Sequence, residues 1–195
     1  MPRVSRKMAD QHRKDILQAA ARLFRQHGID GISLPGIMAE AGLTHGAFYG
    51  HFASKEALAA EACQSIFNEK CGGYEKLREK HGKNMRALRT EYITRYLSGA
   101  HRDAPGMGCP AVALAADASR DGDRSQTRAA FAGGLDHMID SLSEFMSSRQ
   151  GKARREDTLA SFAMLVGALT LARATKGQPM SDEILKAVQK ALLDR

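Results

Sequence analysis

Residues 41–58 read AGLTHGAFYGHFASKEAL. Gly42 stands where one helix would end in a left-handed conformation, which costs least for a residue without Cβ. Two positions on, Thr44 has the side chain to cap a following helix. The short segment His45–His51 then carries three ring side chains, His45, Tyr49 and His51, among the small residues Gly46, Ala47 and Gly50. Ser54 can cap a longer helix that begins at Lys55. This order predicts the second half of a helix-turn-helix followed by a connecting helix. The small residues permit close approach to a duplex, while the rings reach phosphates or base edges.

The sequence on either side supports this reading. Ile16, Ala19, Ala20, Leu23 and Phe24 recur at helical spacing and predict a first helix, with Gly28 and Gly31 at its end. Ser33 can cap a second helix, and Pro35 is tolerated in its first turn because the N–H it lacks has no helical partner there. Ile37, Met38 and Ala41 point inward. A third helix from Thr44 to Gly50 buries Phe48. A fourth, opened by Ser54, continues through Leu58, Ala62 and Ile66 towards Leu77, with Gly72 and Gly73 leaving its extent open. Beyond it, Met85, Leu88, Tyr92, Tyr96 and Leu97 predict a helix over about 83–101, and 103–108 a loop. Pro110 predicts the start of the next helix. The stripe from Phe131 to Phe145 and two helices near 154–175 and 182–193 complete the chain. The expected architecture is all-α: a three-helix head over residues 1–55 and a larger helical body over 56–195.

Charge and chemistry narrow the function. The 195 residues carry 29 Lys and Arg against 22 Asp and Glu, a formal charge of +7. Residues 1–55 hold 8 basic and 4 acidic side chains, so the excess is concentrated at the amino-terminal end. Arg3, Arg6, Lys7, Arg13 and Lys14 could form a basic arm and helix start. The cysteines, at 63, 71 and 109, form no CxxC pair and cannot all pair with one another, which suits a reducing compartment. No run of 18 apolar residues predicts a membrane span, and the first residues lack the apolar centre of a secretory signal. The expectation is a cytoplasmic protein. No metal-spaced cluster, phosphate-cradling loop or nucleophile elbow stands out, so the sequence predicts neither a cofactor nor a metal and argues against an enzyme. A helical interaction protein with a vestigial DNA-binding head is the remaining alternative.

The residues Ile16-Leu17, Ala19-Ala20, Leu23-Phe24 and Gly28, with Ala41-Gly42-Leu43-Thr44, Gly46-Ala47-Phe48-Tyr49, His51-Phe52 and Ser54-Lys55-Glu56, resemble the TetR (tetracycline-repressor-like) family of bacterial transcription regulators. The resemblance covers about residues 10–60. It implies that Tyr49 and His51 hold DNA phosphates, that Thr44 faces a phosphate or base edge, and that Lys55 supplies a further phosphate contact. Phe48 and Phe52 would be core. Ser33, His45, Gly46 and Ala47 complete the expected DNA-facing set. The family often has Lys where this chain has His45, whose imidazole would make that contact depend on pH. The family's habit also implies repression, release by a small molecule bound in the body, and a homodimer on a palindromic operator.

In the body, Leu159, Phe162, Ala163, Val166, Leu169 and Thr170 share a face of the penultimate helix, and Ile184, Leu185, Val188, Ala191 and Leu192 a face of the last. Periodicity leaves open whether these faces pair with a second subunit or complete the monomer's core. Candidate chamber residues for an unidentified effector are Tyr92, Tyr96, Met107, Met138, Phe145 and Phe162. Cys109 directly precedes Pro110, and a helix amino terminus there would favour thiolate. Cys109 is therefore a candidate sensor of electrophiles or oxidants, or else a small packing residue.

Overall fold

The computed structural model describes residues 6–120, 124–147 and 151–194. Arg3 of the expected basic arm lies outside them. The described residues are helical, with no strand among them. The order is α1 (Arg6–His27), α2 (Leu34–Glu40), a 3-10 helix (His45–Gly50), α3 (Lys55–His81), α4 (Met85–Tyr96), α5 (Gly99–Asp103), a 3-10 turn (Pro105–Met107), α6 (Pro110–Ser119), α7 (Ser125–Met146), α8 (Gly151–Ala174) and α9 (Pro179–Leu193).

The head is built by its punctuation. Ser33 Oγ accepts from the Gly36 N–H at 3.2 Å and caps α2. At the other end Gly42 has φ +71°. Its N–H donates to the Ala39 carbonyl at 3.0 Å and the Leu43 N–H to the Met38 carbonyl at 2.9 Å, which satisfies the last turn's acceptors. Ile16, Phe24, Ile37, Met38 and Phe48 are fully enclosed between α1, α2 and the 3-10 helix.

Several expectations are corrected. The segment after Thr44 is a 3-10 helix rather than an α-helix, and the Thr44 side chain makes no capping bond. A six-residue stretch containing Gly46 and Gly50 has too little propensity to hold full α geometry. The extent of α3, left open by Gly72 and Gly73, is settled rather than corrected: the helix runs unbroken past both, through Leu77, to His81. The helix expected over 83–101 breaks after Tyr96, where the Ser98 hydroxyl donates to the Arg95 carbonyl (2.8 Å) and accepts from the His101 N–H (3.1 Å), starting α5. α8 also contains an 18-residue window of mean hydropathy 1.2, long and apolar enough to cross a membrane by composition alone; 39% of that window is buried within the fold. The sequence reading missed it because Ser161, Gly167 and Thr170 interrupt the apolar run.

α3 joins head to body and packs along α7. The approach is close: a Cβ on Gly134 of α7 would stand 2.4 Å from the Phe67 ring of α3. Two carboxylates fix the head against the body, and a third fastens the start of α3 to α7. Asp117 of α6 is buried and accepts from the Ile29 N–H at 3.2 Å, just beyond α1. Asp30 pairs with Arg124 and Arg120. Glu56, in the first turn of α3, accepts from the Thr127 N–H at 2.9 Å and the Thr127 hydroxyl at 3.0 Å, with Arg124 at 3.4 Å.

Candidate functional site

Two sites emerge, one on the head and one in the body. On the head, Phe48 and Phe52 are buried and stack at 5.9 Å, anchoring the 3-10 helix from beneath. That anchoring leaves Tyr49 67% exposed, the most exposed of the large apolar side chains among the described residues. Thr44, His45 and Gly46 are exposed beside it, and the His45 and Tyr49 rings meet edge-on at 6.3 Å. Neither Gly46 nor Gly50 has anything within 4 Å of a Cβ position, so this face is open. Ala47 is half-buried. His51 is also half-buried and meets the His12 ring of α1 at 6.1 Å. Ser33 is exposed, but its hydroxyl is engaged in capping α2.

Lys55 sits differently from the rest. It is half-buried, and burial lowers its pKa from that of an ordinary lysine, opposed by the nearby Asp30 carboxylate. Arg13 bonds Glu61 through two contacts of 2.7 Å and lies over the Phe52 ring at 4.6 Å, so it braces the head internally. Sequence reasoning had counted Arg13 with the basic arm; its partner lies 48 residues away and no local signal announces it.

The body holds a cavity of about 690 Å³ between α3, α4, α5 and the Pro105–Met107 turn. Tyr92, Tyr96 and Met107 of the expected chamber residues line it, as does Cys109, the candidate sensor. Met138, Phe145 and Phe162 do not. They are buried behind the wall: Phe145 packs on the Tyr92 ring at 5.4 Å, Phe162 on Tyr96 at 6.4 Å, and Met138 Sδ accepts from the Tyr74 hydroxyl at 3.3 Å. The reason is register: all three stand on the faces of α7 and α8 that fill the core. Sequence reasoning missed Lys70, Tyr74 and His101, which also line the cavity. Lys70 and Tyr74 stand on the part of α3 whose helical course was left open.

Cys109 occupies the N-cap position of α6 without a side-chain capping bond, and Pro110 is the first helical residue. The expected thiolate is not favoured, however. Cys109 is only 3% exposed, and burial raises its pKa, outweighing the Tyr96 hydroxyl, the Val112 and Ala111 N–H groups and the Lys70 charge. Cys63, on the α3 core face, is pushed up to about 12 by burial, and Cys71 is also raised. Burial lowers the His101 pKa, opposed by the Tyr96 carbonyl at 2.7 Å from its Nδ1. Among the described residues no cluster of metal-ligating side chains occurs.

α8 presents a further surface. Phe162 and Leu169 turn into the protein's own core, while Leu159, Ala160, Ala163, Thr170 and Leu171 are exposed and Val166 and Gly167 half-exposed. On α9, Leu185 and Leu192 are buried, and Ile184 and Val188 half-buried.

The family described as "Bacterial regulatory proteins, tetR family" matches residues 16–62. The HTH-type transcriptional regulator AcrR of Shigella flexneri is 43% identical over 61 residues, 31% of this chain and 28% of that protein. The aligned stretches span less than half the length of the curated relatives matched. Among solved structures, reduced Escherichia coli NemR superposes with a TM-score of 0.77 at 22% identity, covering 93% of this chain and 94% of that one. A TetR-family regulator from Agrobacterium tumefaciens gives 0.78 at 22%, covering 96% and 98%. At that identity the likeness shows a common fold.

Proposed function

We propose, from the premise that this chain belongs to the TetR family through its amino-terminal domain, that it is a cytoplasmic, dimeric transcriptional repressor released from a palindromic operator by a small molecule. Residues 1–55 form the DNA-binding head and 56–195 the effector-binding and dimerisation body. The carrying observation is the open 3-10 face, where a 67% exposed Tyr49 stands beside Thr44, His45 and Gly46 over a rigid Phe48–Phe52 anchor. Tyr49, Thr44 and His51 position phosphates, while His45, Gly46 and Ala47 lie against base edges. Ser33 presents α2's first turn to the backbone, and Lys55 adds charge.

The exposed small and apolar residues of α8 suit pairing with the same helix of a second copy, because small side chains allow close helix approach. Two-fold symmetry then sets two heads on two half-sites. The cavity lined by Tyr92, Tyr96, Met107 and Cys109 is the effector chamber. Its Pro105–Met107 turn also packs on α1, with Gly106 seated against Gln26, so occupancy of the chamber bears on the head.

The test is a gel shift of the purified protein on the DNA flanking its own gene, with unrelated duplex as competitor and a salt series. Specific, salt-sensitive retardation supports the reading, since phosphate contacts release counterions. No duplex binding even at low salt overturns it in favour of a helical interaction protein with a vestigial head.

A further inference from the structure

The head's excess of positive charge is smaller in the fold than in the sequence. Arg13 pairs with Glu61 at 2.7 Å, Arg22 with Glu40, and the buried Arg25 with Glu69 at 3.4 Å. Arg6, Lys7 and Lys14 are exposed on the first half of α1. The remaining described cation of the head is Lys55, which is half-buried at the joint with the body.

Six charged residues meet at that joint. Asp30, in the loop between α1 and α2, pairs with Arg124 and, at 3.4 Å, with Arg120. Arg120 also reaches Asp117 at 3.3 Å, and Arg124 reaches Glu56 at 3.4 Å. Lys55 is the sixth. Burial lowers its pKa; the Asp30 and Asp117 carboxylates oppose that shift, and Arg124 adds to it. Asp30 is thus shared among three cations. Its bond from Arg124 holds its carboxyl below the usual range against the effect of burial, and Lys55 and Arg120 act in the same direction. Three acids balance three bases, yet the Lys55 ammonium is partly desolvated and short of counter-charge.

A duplex phosphate arriving at Lys55 would complete its coordination. The same phosphate would be repelled by the exposed Asp30 carboxylate beside it. Asp30 is not stranded by the exchange, because both arginines stay with it. We propose that Asp30 limits the head's grip on DNA: its carboxylate is the internal counter-ion of Lys55, and a duplex phosphate takes its place. Asp30 is a positioning residue that acts on DNA through Lys55, a role that rests on the head being the DNA-binding face. Its removal has a signature that a fastening role lacks. A residue that only tied head to body would weaken DNA binding when lost, whereas loss of a rival to the phosphate strengthens it.

The parent, Asp30→Asn, Lys55→Gln and the double variant are titrated as full chains onto a labelled mixed-sequence duplex at low salt, followed by fluorescence anisotropy. Asp30→Asn should bind about two- to fivefold tighter, and the gain should shrink as salt is raised. Lys55→Gln should bind more weakly, and in its background Asp30→Asn should bring no measurable gain. Lys55→Arg keeps the charge and should keep the gain. Asp30→Ser, which removes the charge without adding an amide, should match Asp30→Asn, and thermal melts establish that each variant is folded. Unchanged or weaker binding by both Asp30 variants would overturn the proposal and leave Asp30 as a fastening alone. A gain undiminished in the Lys55→Gln background would also overturn it, by tracing the effect to the diffuse loss of one negative charge. A parent that binds no duplex even at low salt refutes the DNA-binding role itself, a result distinct from binding without the gain.

Discussion

Replacing Glu56 by Ala tests how the start of α3, where the head joins the body, is fastened to α7. Its carboxylate is buried in the first turn of α3 and accepts from both the N–H and the hydroxyl of Thr127, itself buried at the start of α7. Truncation strands the Thr127 N–H without an acceptor, and an unmatched buried donor costs about 1–3 kcal/mol. The hydroxyl bond to a charged acceptor adds about 1 kcal/mol. Arg124 at 3.4 Å adds little, since its guanidinium keeps Asp30. The sum is about 3 kcal/mol, which for a chain of this size lowers Tm by roughly 6–12 °C. Glu56→Gln keeps one acceptor for the N–H, so its loss should be near 1 kcal/mol. Scanning calorimetry reads both. A cycle with Thr127→Val then isolates the hydroxyl bond: the double variant should lose about 1 kcal/mol less than the singles combined. Additive losses, or a Glu56→Ala melting point within about 2 °C of the parent, would refute the fastening. The result would then leave the favourable placement of an acid at the α3 amino terminus as Glu56's only role.

Tyr49→Ala should weaken binding to every duplex in a gel shift while leaving the oligomeric state in sizing chromatography unchanged; unaltered affinity removes Tyr49 from the contacts. Two adjacent glycines of α7 should behave oppositely. Gly134→Ala forces a Cβ against Phe67 and should destabilise by about 1–3 kcal/mol; Gly133→Ala meets nothing within 4 Å and should stabilise by up to about 1 kcal/mol through helix propensity. Equal responses in urea unfolding would contradict the α3–α7 packing. Because burial holds the His101 pKa below 6.5, the unfolded chain takes up its proton first as pH falls. The resulting stability is complete above about pH 6.5 and declines below it, a slope that His101→Gln should reduce in thermal melts between pH 7.5 and pH 5.5.

The head was legible because its instructions are local. Ser33, Gly42 and Ser54 act on groups three to five residues away, so their spacing alone placed α2, the turn and the start of α3. The same reasoning failed at Thr44, where the signal was correct in type but the two following glycines changed the helix it would have capped. The chamber was only half legible, because which side of a helix meets a void depends on how distant helices cross. Tyr92 and Phe145 carry the same apolar signal in sequence, and their rings touch at 5.4 Å, yet one lines the cavity and the other backs it. Cys109 shows a second limit. Its local sequence announces a helix start, which favours thiolate, whereas its burial comes from the surrounding fold and dominates the titration. The reactivity of this thiol is therefore set by its burial rather than by the helix it begins. It follows that Cys109 should react with iodoacetamide at neutral pH far more slowly in the folded chain than after unfolding in urea, and equal rates in the two states would show that burial does not control this thiol.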